Sequence, residues 1–576
     1  MVRQVKLALD SLTSLFIPVR FRKPTPYSFA DFQGDLLAGI TVAVVQIPQA
    51  MALALIAGLP AIYGLYASLP GFIASIWGSS RYLSTGPVAI VSLLTFTSLV
   101  PLAEPGSPAF IALAALLALM VGCMYLALGV LRLGFIMRAV PNSVITGFSV
   151  AAAAIIVVSQ LPTLFGITTV RHDLVVQDLL ALLRNLPHLS LIAASLGVGT
   201  LALLLLARRL PRTFPTALTV VGGGIALSYL LHLDETGIAL VSAISPGLPS
   251  FTLPAISIAQ LLALLPKAAV IALVGFVGTH ATSKSAARGT HDKLDTDQEL
   301  VGQGLANIAT SFWRGFPLAG SFTRTAINAE AGARSEFSSL VTAVATIFTI
   351  LFLTPVLAHL PRTILAAIVI ASALPLIDIK GLRHMMRLSA HDGWVAYLTA
   401  AMACVARLDD AIFIGIIAAL ALFIRETISR ERIVEMGVDR NWHVLRGTLS
   451  DEHVDTLPGT CIVRIGMSLY YANTEHLLAE VNRRIVAHQE REKIPVTTLI
   501  FDMAGVHFVD ITALEILENY LQTLSERKIR AYFMYLRGPV REVFAQVPAL
   551  STIRNLHNIT ELQKIVGAGH GALLLQ

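Results

Sequence analysis

The stretch Gly315-Phe-Pro-Leu-Ala-Gly-Ser-Phe-Thr-Arg324 breaks a long apolar region with glycine, proline, hydroxyls and one guanidinium. The chain around it is 55% hydrophobic and only 14% charged. An arginine inside such a region is costly in a bilayer and marks a cavity or a partner, so Arg324 is predicted to meet an anion. A similar interruption lies far upstream, Gly78-Ser-Ser-Arg-Tyr-Leu-Ser-Thr-Gly-Pro-Val-Ala89, and it too opens onto an apolar run, Val88 to Val100. Paired Gly/Pro-interrupted segments in two halves of a membrane protein supply half-helices whose N-termini converge near mid-bilayer. Exposed N–H groups and the positive ends of the helix dipoles favour negative charge there. Pro87 suits a first helical position and Gly86 a tight entry, while Ser321 or Thr323 can cap the second element, with Arg324 in its first turn. A cation is disfavoured at a helix N-terminus unless an anion reconciles the two positive fields.

With 576 residues and a mean hydropathy of +0.72, the chain is too apolar for an ordinary soluble enzyme and too long for one domain. The formal net charge of +6 does not argue for nucleic acid, because the basic residues sit in short loops beside apolar segments. Cys123, Cys404 and Cys461 are dispersed and form neither a disulfide framework nor a metal-ligand spacing, so no metal is expected. Gly222-Gly-Gly224 lacks a following phosphate-binding lysine and reads as a helix-packing site. With no convergent nucleophile and base either, neither a cofactor nor an enzymatic activity is expected. Arg3, Lys6, Arg20, Arg22 and Lys23 flank no compact apolar core, so no cleavable signal peptide is predicted, and Leu7 to Val19 reads as an amphipathic helix on the membrane surface.

Apolar stretches follow one another over 36–55, 59–77, 86–101, 109–131, 143–162, 188–207, 216–232, 258–282, 298–314, 322–335, 338–359, 362–377, 391–407 and 409–427. Fourteen segments put both ends on one side. A cytoplasmic N-terminus then places Arg132, Arg138, Arg208, Arg209, Arg212, Lys284, Arg288, Lys380, Arg383 and Arg387 inside, and leaves the outer loop from Leu231 to Pro254 without Lys or Arg. Seven plus seven segments make an inverted repeat arithmetically natural, with the third and tenth segments as its broken members. Beyond Arg425 charge rises, and short strand-like runs then alternate with amphipathic helices, as in a small soluble α/β domain.

Several motifs resemble those of the SulP sulphate-permease family. They are Ile47-Pro-Gln-Ala-Met-Ala-Leu-Ala-Leu-Ile-Ala-Gly-Leu-Pro-Ala-Ile-Tyr-Gly-Leu-Tyr66, the Gly78 to Ala89 stretch, Asp297-Gln-Glu-Leu300, Gly304-Leu-Ala-Asn307 and Gly320-Ser-Phe-Thr-Arg-Thr325. The tail resembles a STAS domain through Leu499-Ile-Phe-Asp-Met-Ala-Gly-Val506 and Val509-Asp-Ile-Thr-Ala-Leu514. The resemblance implies a polytopic α-helical membrane protein in a 7+7 inverted repeat of core and gate domains, followed by a cytoplasmic α/β STAS domain. The implied division is a cytoplasmic segment 1–30, a transport domain 31–428, a linker 429–440, a STAS domain 441–567 and a tail 568–576. It also implies a homodimer in the bacterial inner membrane that moves small inorganic anions by an elevator-like alternating access. Gln49, Leu53, Gly86, Val88, Ala89, Ser321, Phe322, Thr323 and Arg324 would line the anion site. Many relatives carry an acid in the eighth segment where this chain has Gly278, so coupling to a proton or sodium would fall to Thr279, His280 or another acid, or be absent.

Other polar residues have structural readings. Thr296 and Glu299 fit a capping box, with Asp295 and Asp297 sharing that explanation, and Asp510 an N-cap. STAS antagonists place a phosphorylatable hydroxyl after this aspartate, whereas here Ile511 follows and only Thr512 is near. Two rival functions stand beside anion transport: a nucleobase permease of similar fold, and a membrane sensor signalling through its STAS domain.

Overall fold

A computed structural model describes residues 15–18, 27–135, 141–167, 175–207, 216–233, 235–241, 247–254, 257–287, 294–406, 408–429, 433–439, 445–447 and 454–565. Apart from residues 15–18, the surface helix expected over Leu7 to Val19 lies outside the described residues, as do Arg138, Arg208, Arg209, Arg212, Arg288 and the tail. The chain divides into two units, Met1–Ala419 and Leu420–Gln576.

Each of the fourteen apolar stretches contains helix. The first half holds α1 (Phe29–Ile56), α2 (Ile62–Ser68), α3 (Gly71–Trp77), strand β1 (Thr85–Gly86), α4 (Ala89–Leu99), α5 (Pro108–Val130), α6 (Asn142–Leu164), α7 (Val175–Asn185), α8 (Leu191–Leu206) and α9 (Thr216–Leu230). The second holds α10 (Ile258–Ala286), α11 (Thr296–Phe312), strand β2 (Ala319–Gly320), α12 (Phe322–Glu330), α13 (Phe337–Leu357, with a π-helical turn at Thr349–Leu353), α14 (Arg362–Ala373), α15 (Ile379–Leu388), α16 (Ala390–Val405) and α17 (Leu408–Ser429). Six helical stretches among the described residues are long and apolar enough to cross a membrane alone. The others are shorter or broken, and α4 and α12 are the half-helices.

The two halves match in their irregularities. Strands β1 and β2 precede the third and tenth segments, and the amphipathic helices α7 and α15 follow the fifth and twelfth. Neither amphipathic helix was expected: Lys380, Arg383 and Arg387, read as loop cations, lie on α15. The capping box at Thr296 does not form. Asp295 is the N-cap of α11, accepting from the N–H groups of Asp297 and Gln298, and Glu299 points elsewhere.

The second unit is a mixed sheet of seven strands: β3 (Ile433–Asp439), β4 (Leu445–Gly447), β5 (Val454–Asp455), β6 (Thr460–Ile465), β7 (Thr498–Asp502), β8 (Arg530–Met534) and β9 (Asn555–Leu556). The order is β4-β3-β6-β7-β8-β9, with β5 also on β3, and β6 to β9 are parallel. Alternation sends Cys461, Val463 and Ile465 toward helices α18 (Thr474–Glu492) and α19 (Ile511–Glu526), and Ile462 to the other face. Asp510 is the N-cap of α19, accepting from Ala513 N–H. Strand β3 falls inside the stretch expected as a linker, 429–440, so the sheet begins earlier than residue 441. Its charged residues hid the strand, because the Glu435 side chain is turned inward and paired rather than solvated.

Candidate anion-binding site

The site begins with two very short strands. Thr85 pairs with Gly320 and Gly86 with Ala319 in antiparallel register, and Ser321 N–H donates to the Ser84 carbonyl. Because the strands are antiparallel and each runs directly into a half-helix, α4 and α12 leave the ribbon in opposite directions with their N-termini adjacent. Side chains from α10 and α11 fix the ribbon. Asn307 donates to the Leu318 carbonyl and accepts from Leu318 N–H, while Gln303 donates to the Thr85 hydroxyl. Thr279 accepts from Gly320 N–H at 2.8 Å and donates its own proton to the Gly275 carbonyl. Glu299 Oε1 accepts from the backbone N–H groups of Ser79 and Ser80 and from the Ser79 hydroxyl, holding the turn before β1.

Val88, in extended conformation, is the N-cap of α4 and contributes no side-chain cap, so the first N–H groups from Ala89 onward lack an intrahelical acceptor. Pro87 therefore sits before the cap rather than at the first helical position. Ser321 is the N-cap of α12, its hydroxyl accepting from Arg324 N–H.

Arg324 is fully buried, with 0% of its surface exposed. Its Nη1 donates to the Pro87 carbonyl at 2.9 Å and to Gln49 Oε1 at 3.3 Å, so a side chain from one half closes on the backbone of the other. Nε and Nη2 are buried and have no hydrogen-bond partner among the described residues. Among the described residues, no carboxylate forms an ion pair with Arg324. Buried Asp35 is instead engaged by Tyr27, Arg334 N–H and both donors of Ser335. A β-carbon on Gly86 would stand 3.0 Å from Arg324 Nη2, which explains glycine there. Keeping such a cation out of water costs several kcal/mol unless a counter-charge is supplied.

A cavity of about 840 Å³ reaches this site, walled by Gln49, Thr282, Phe322, Thr323, Ile368 and Ser372 among others. A second cavity, about 330 Å³, is lined by Ala52, Leu55, Gln160, Asp178, Arg362 and Ala366 among others. Helices α1 and α14 contribute to both, Gln49 and Ile368 to the first, Ala52 and Arg362 to the second. Three residues on a helix advance roughly 4.5 Å, so along α1 the two cavities are separated by less than one turn. Leu53, buried at 1% exposure, packs in the core and lines neither.

The structure thus brings Gln49, Gly86 and Arg324 into contact, and sets Ser321, Phe322 and Thr323 beside them and Val88 and Ala89 at the facing helix start. His280 lies against Phe276, ring centroids 6.3 Å apart, and lines neither cavity. A β-carbon on Gly278 would meet nothing within 4 Å. Gln303, Asn307 and Glu299 were not anticipated as supports of the site. Two quoted motifs contain Asn307 and Glu299, but nothing local to them shows that they hold distant backbone.

Opposed half-helices around a buried guanidinium, followed by a mixed α/β domain, define a carrier-type membrane protein with a soluble appendage. The profile of the Sulfate permease family matches residues 32–399, that of the STAS domain matches 453–561, and the chain belongs to the sulfate permease family. It is 32% identical over 536 residues to sulfate transporter 4.1, chloroplastic, of Arabidopsis thaliana, covering 91% of this chain and 77% of that protein. The murine Slc26a9 anion transporter in its inward-facing state shares the fold at a TM-score of 0.88 and 22% identity, covering 96% of this chain and 95% of that one. The transmembrane domain of the cyanobacterium bicarbonate transporter BicA aligns at a TM-score of 0.59 and 28% identity, over 68% of this chain and 98% of that domain.

Proposed function

We infer that this chain is a secondary transporter of small inorganic anions, sulphate, bicarbonate or a similar oxyanion, working by alternating access. The observation that carries the reading is the fully buried Arg324, whose Nε and Nη2 have no acceptor in the described protein and which lies between two helix starts, that of α4 without a side-chain cap. An oxyanion seated between α4 and α12 would accept from Nε, Nη2 and the N–H groups after Val88, replacing part of its hydration shell. Gln49, Phe322 and Thr323, which line the larger cavity, would meet it on entry.

Ser285 and Ala286 wall the larger cavity close to the basic loop assigned to the cytoplasm, so that cavity would be the inward path and the smaller one the outward path. Sliding α1 against α14 by about one turn would exchange them. Thr279 acts as a brace in this reading, its hydroxyl already committed at both ends. Gly278 leaves Arg324 without a coupling carboxylate, which favours exchange or uniport over sodium symport, and His280 stands as the remaining titratable candidate. The termini and STAS domain would be cytoplasmic, the membrane the inner membrane, and the assembly a homodimer organised or regulated by the STAS domain. The nucleobase-permease and sensor readings are not favoured, since the relatives carry sulfate, bicarbonate and anion transport in their names.

The test is uptake of radiolabelled sulphate and bicarbonate into proteoliposomes, with pH, sodium and internal-anion gradients imposed one at a time. Uptake of neither anion under any gradient would refute the reading.

A further inference from the structure

In the soluble unit, Glu435 on β3, Cys461 on β6 and His488 on α18 bring a carboxylate oxygen, a thiol and an imidazole nitrogen within 4.8 Å of one another, and all three residues are buried. The register places Glu435 opposite Val463, so Cys461 is two residues along on the same face, the face covered by α18. Arg491, from the last turn of α18, reaches the group: its Nη2 donates to Glu435 Oε1 and lies 3.2 Å from His488 Nδ1. His488 Nδ1 is itself 2.8 Å from Glu435 Oε1.

One ring nitrogen cannot serve both contacts. Protonated, Nδ1 donates to the carboxylate and opposes the guanidinium N–H. Unprotonated, it accepts from Arg491 and turns a lone pair toward the carboxylate. The other ring nitrogen, Nε2, is buried without a hydrogen-bond partner among the described residues, so neither tautomer satisfies the ring. A directly bound cation removes the conflict by taking the Nδ1 lone pair and the carboxylate oxygen together. Arg491 is free to yield its place, because its side chain is 44% exposed and its Nε already lies 3.4 Å from Glu492 Oε1.

We propose that Glu435, Cys461 and His488 form a binding site for a thiophilic divalent cation of the zinc class, with the Arg491 guanidinium standing in for the ion in its absence. One thiolate, one imidazole and one carboxylate supply three positions of a tetrahedral zinc sphere, and this soft set disfavours magnesium and calcium. Because sulfur binds the ion as thiolate, metal entry displaces the Cys461 proton to solvent. Bound metal would pin β3, the first strand after α17, to β6 and α18.

The test uses the untagged full-length protein in detergent, stripped with a chelator and titrated with Co²⁺ and then Zn²⁺ alone. One equivalent of Co²⁺ should produce a thiolate-to-cobalt charge-transfer band that Zn²⁺ abolishes and a hundredfold excess of Mg²⁺ does not. C461S should lose the band, and C461S and H488Q should each weaken Zn²⁺ binding by about 10- to 100-fold or more. R491A, at a half-exposed position, should tighten binding several-fold by removing the competing cation, an effect that a purely structural Glu-His-Arg cluster does not produce. Absence of stoichiometric binding, a cobalt band that survives C461S, or R491A binding no tighter than the parent would each overturn the proposal.

Discussion

Replacing Arg324 by methionine keeps a long side chain and removes the charge and the fork. If the oxyanion sits where Nε and Nη2 have no protein acceptor, the variant loses two charge-assisted hydrogen bonds of about 1.5–3 kcal/mol each. The sum of about 3–6 kcal/mol corresponds to a roughly 10²- to 10⁴-fold weaker dissociation constant. Folding should change far less. The substitution strands the Pro87 carbonyl and the Gln49 amide oxygen, at about 1–3 kcal/mol for a buried group. It also removes an ion whose burial without a counter-charge costs several kcal/mol. The assay pairs sulphate uptake in proteoliposomes with the melting temperature in detergent, with and without sulphate. At a hundredfold excess over its dissociation constant a ligand adds about 2.7 kcal/mol to stability, so the parent should gain a clear sulphate-dependent shift and R324M none. R324K, which keeps the charge but not the fork, should fall between them. An R324M protein that still melts later in sulphate and still takes it up would show that Arg324 is a structural arginine.

Three further outcomes are expected. G86A puts a methyl 3.0 Å from Arg324 Nη2; displacing the fork should lower sulphate uptake roughly tenfold, about 1.4 kcal/mol, with the fold intact by size-exclusion chromatography. E299A strips the acceptor from the N–H groups of Ser79 and Ser80, at about 1–3 kcal/mol for each, and should show as a lower melting temperature and faster hydrogen exchange at those amides. G278E enters open space one turn from cavity-lining Thr282, so it should fold normally and make uptake rise on acidification, because an ionised carboxylate competes with the anion for Arg324; a flat pH profile would count against that placement.

The broken helices were readable because glycine, proline and a lone arginine are conspicuous in an apolar background, and the Asp510 cap, with a hydroxyl cap at Ser321 or Thr323, because N-caps act on the next few residues. The ribbon was not readable. Two residues per strand carry no periodicity, and their pairing joins residue 85 to residue 320. Glu299 misled for the same reason: its spacing from Thr296 fits a local cap, while its partners lie on the far side of the sequence at Ser79 and Ser80. Gln303 and Asn307 looked like ordinary polar residues of a helix, and only packing shows that they hold another segment's backbone. Strand β3 and the Glu435, Cys461 and His488 cluster were hidden likewise, since each of the three residues comes from a different element.

The pairing of Gly86 with Ala319 has a consequence for selectivity. The spacing of the two helix starts is set by a peptide-to-peptide ladder, whose dimensions no side-chain replacement alters. Substitutions at Gln49, Phe322 or Thr323 can therefore retune how strongly an ion is held and how fast it is released. The calibre of the slot belongs to the main chain, and widening it for a bulkier cargo means re-registering the ribbon, through an insertion or deletion beside Gly86 or Ala319.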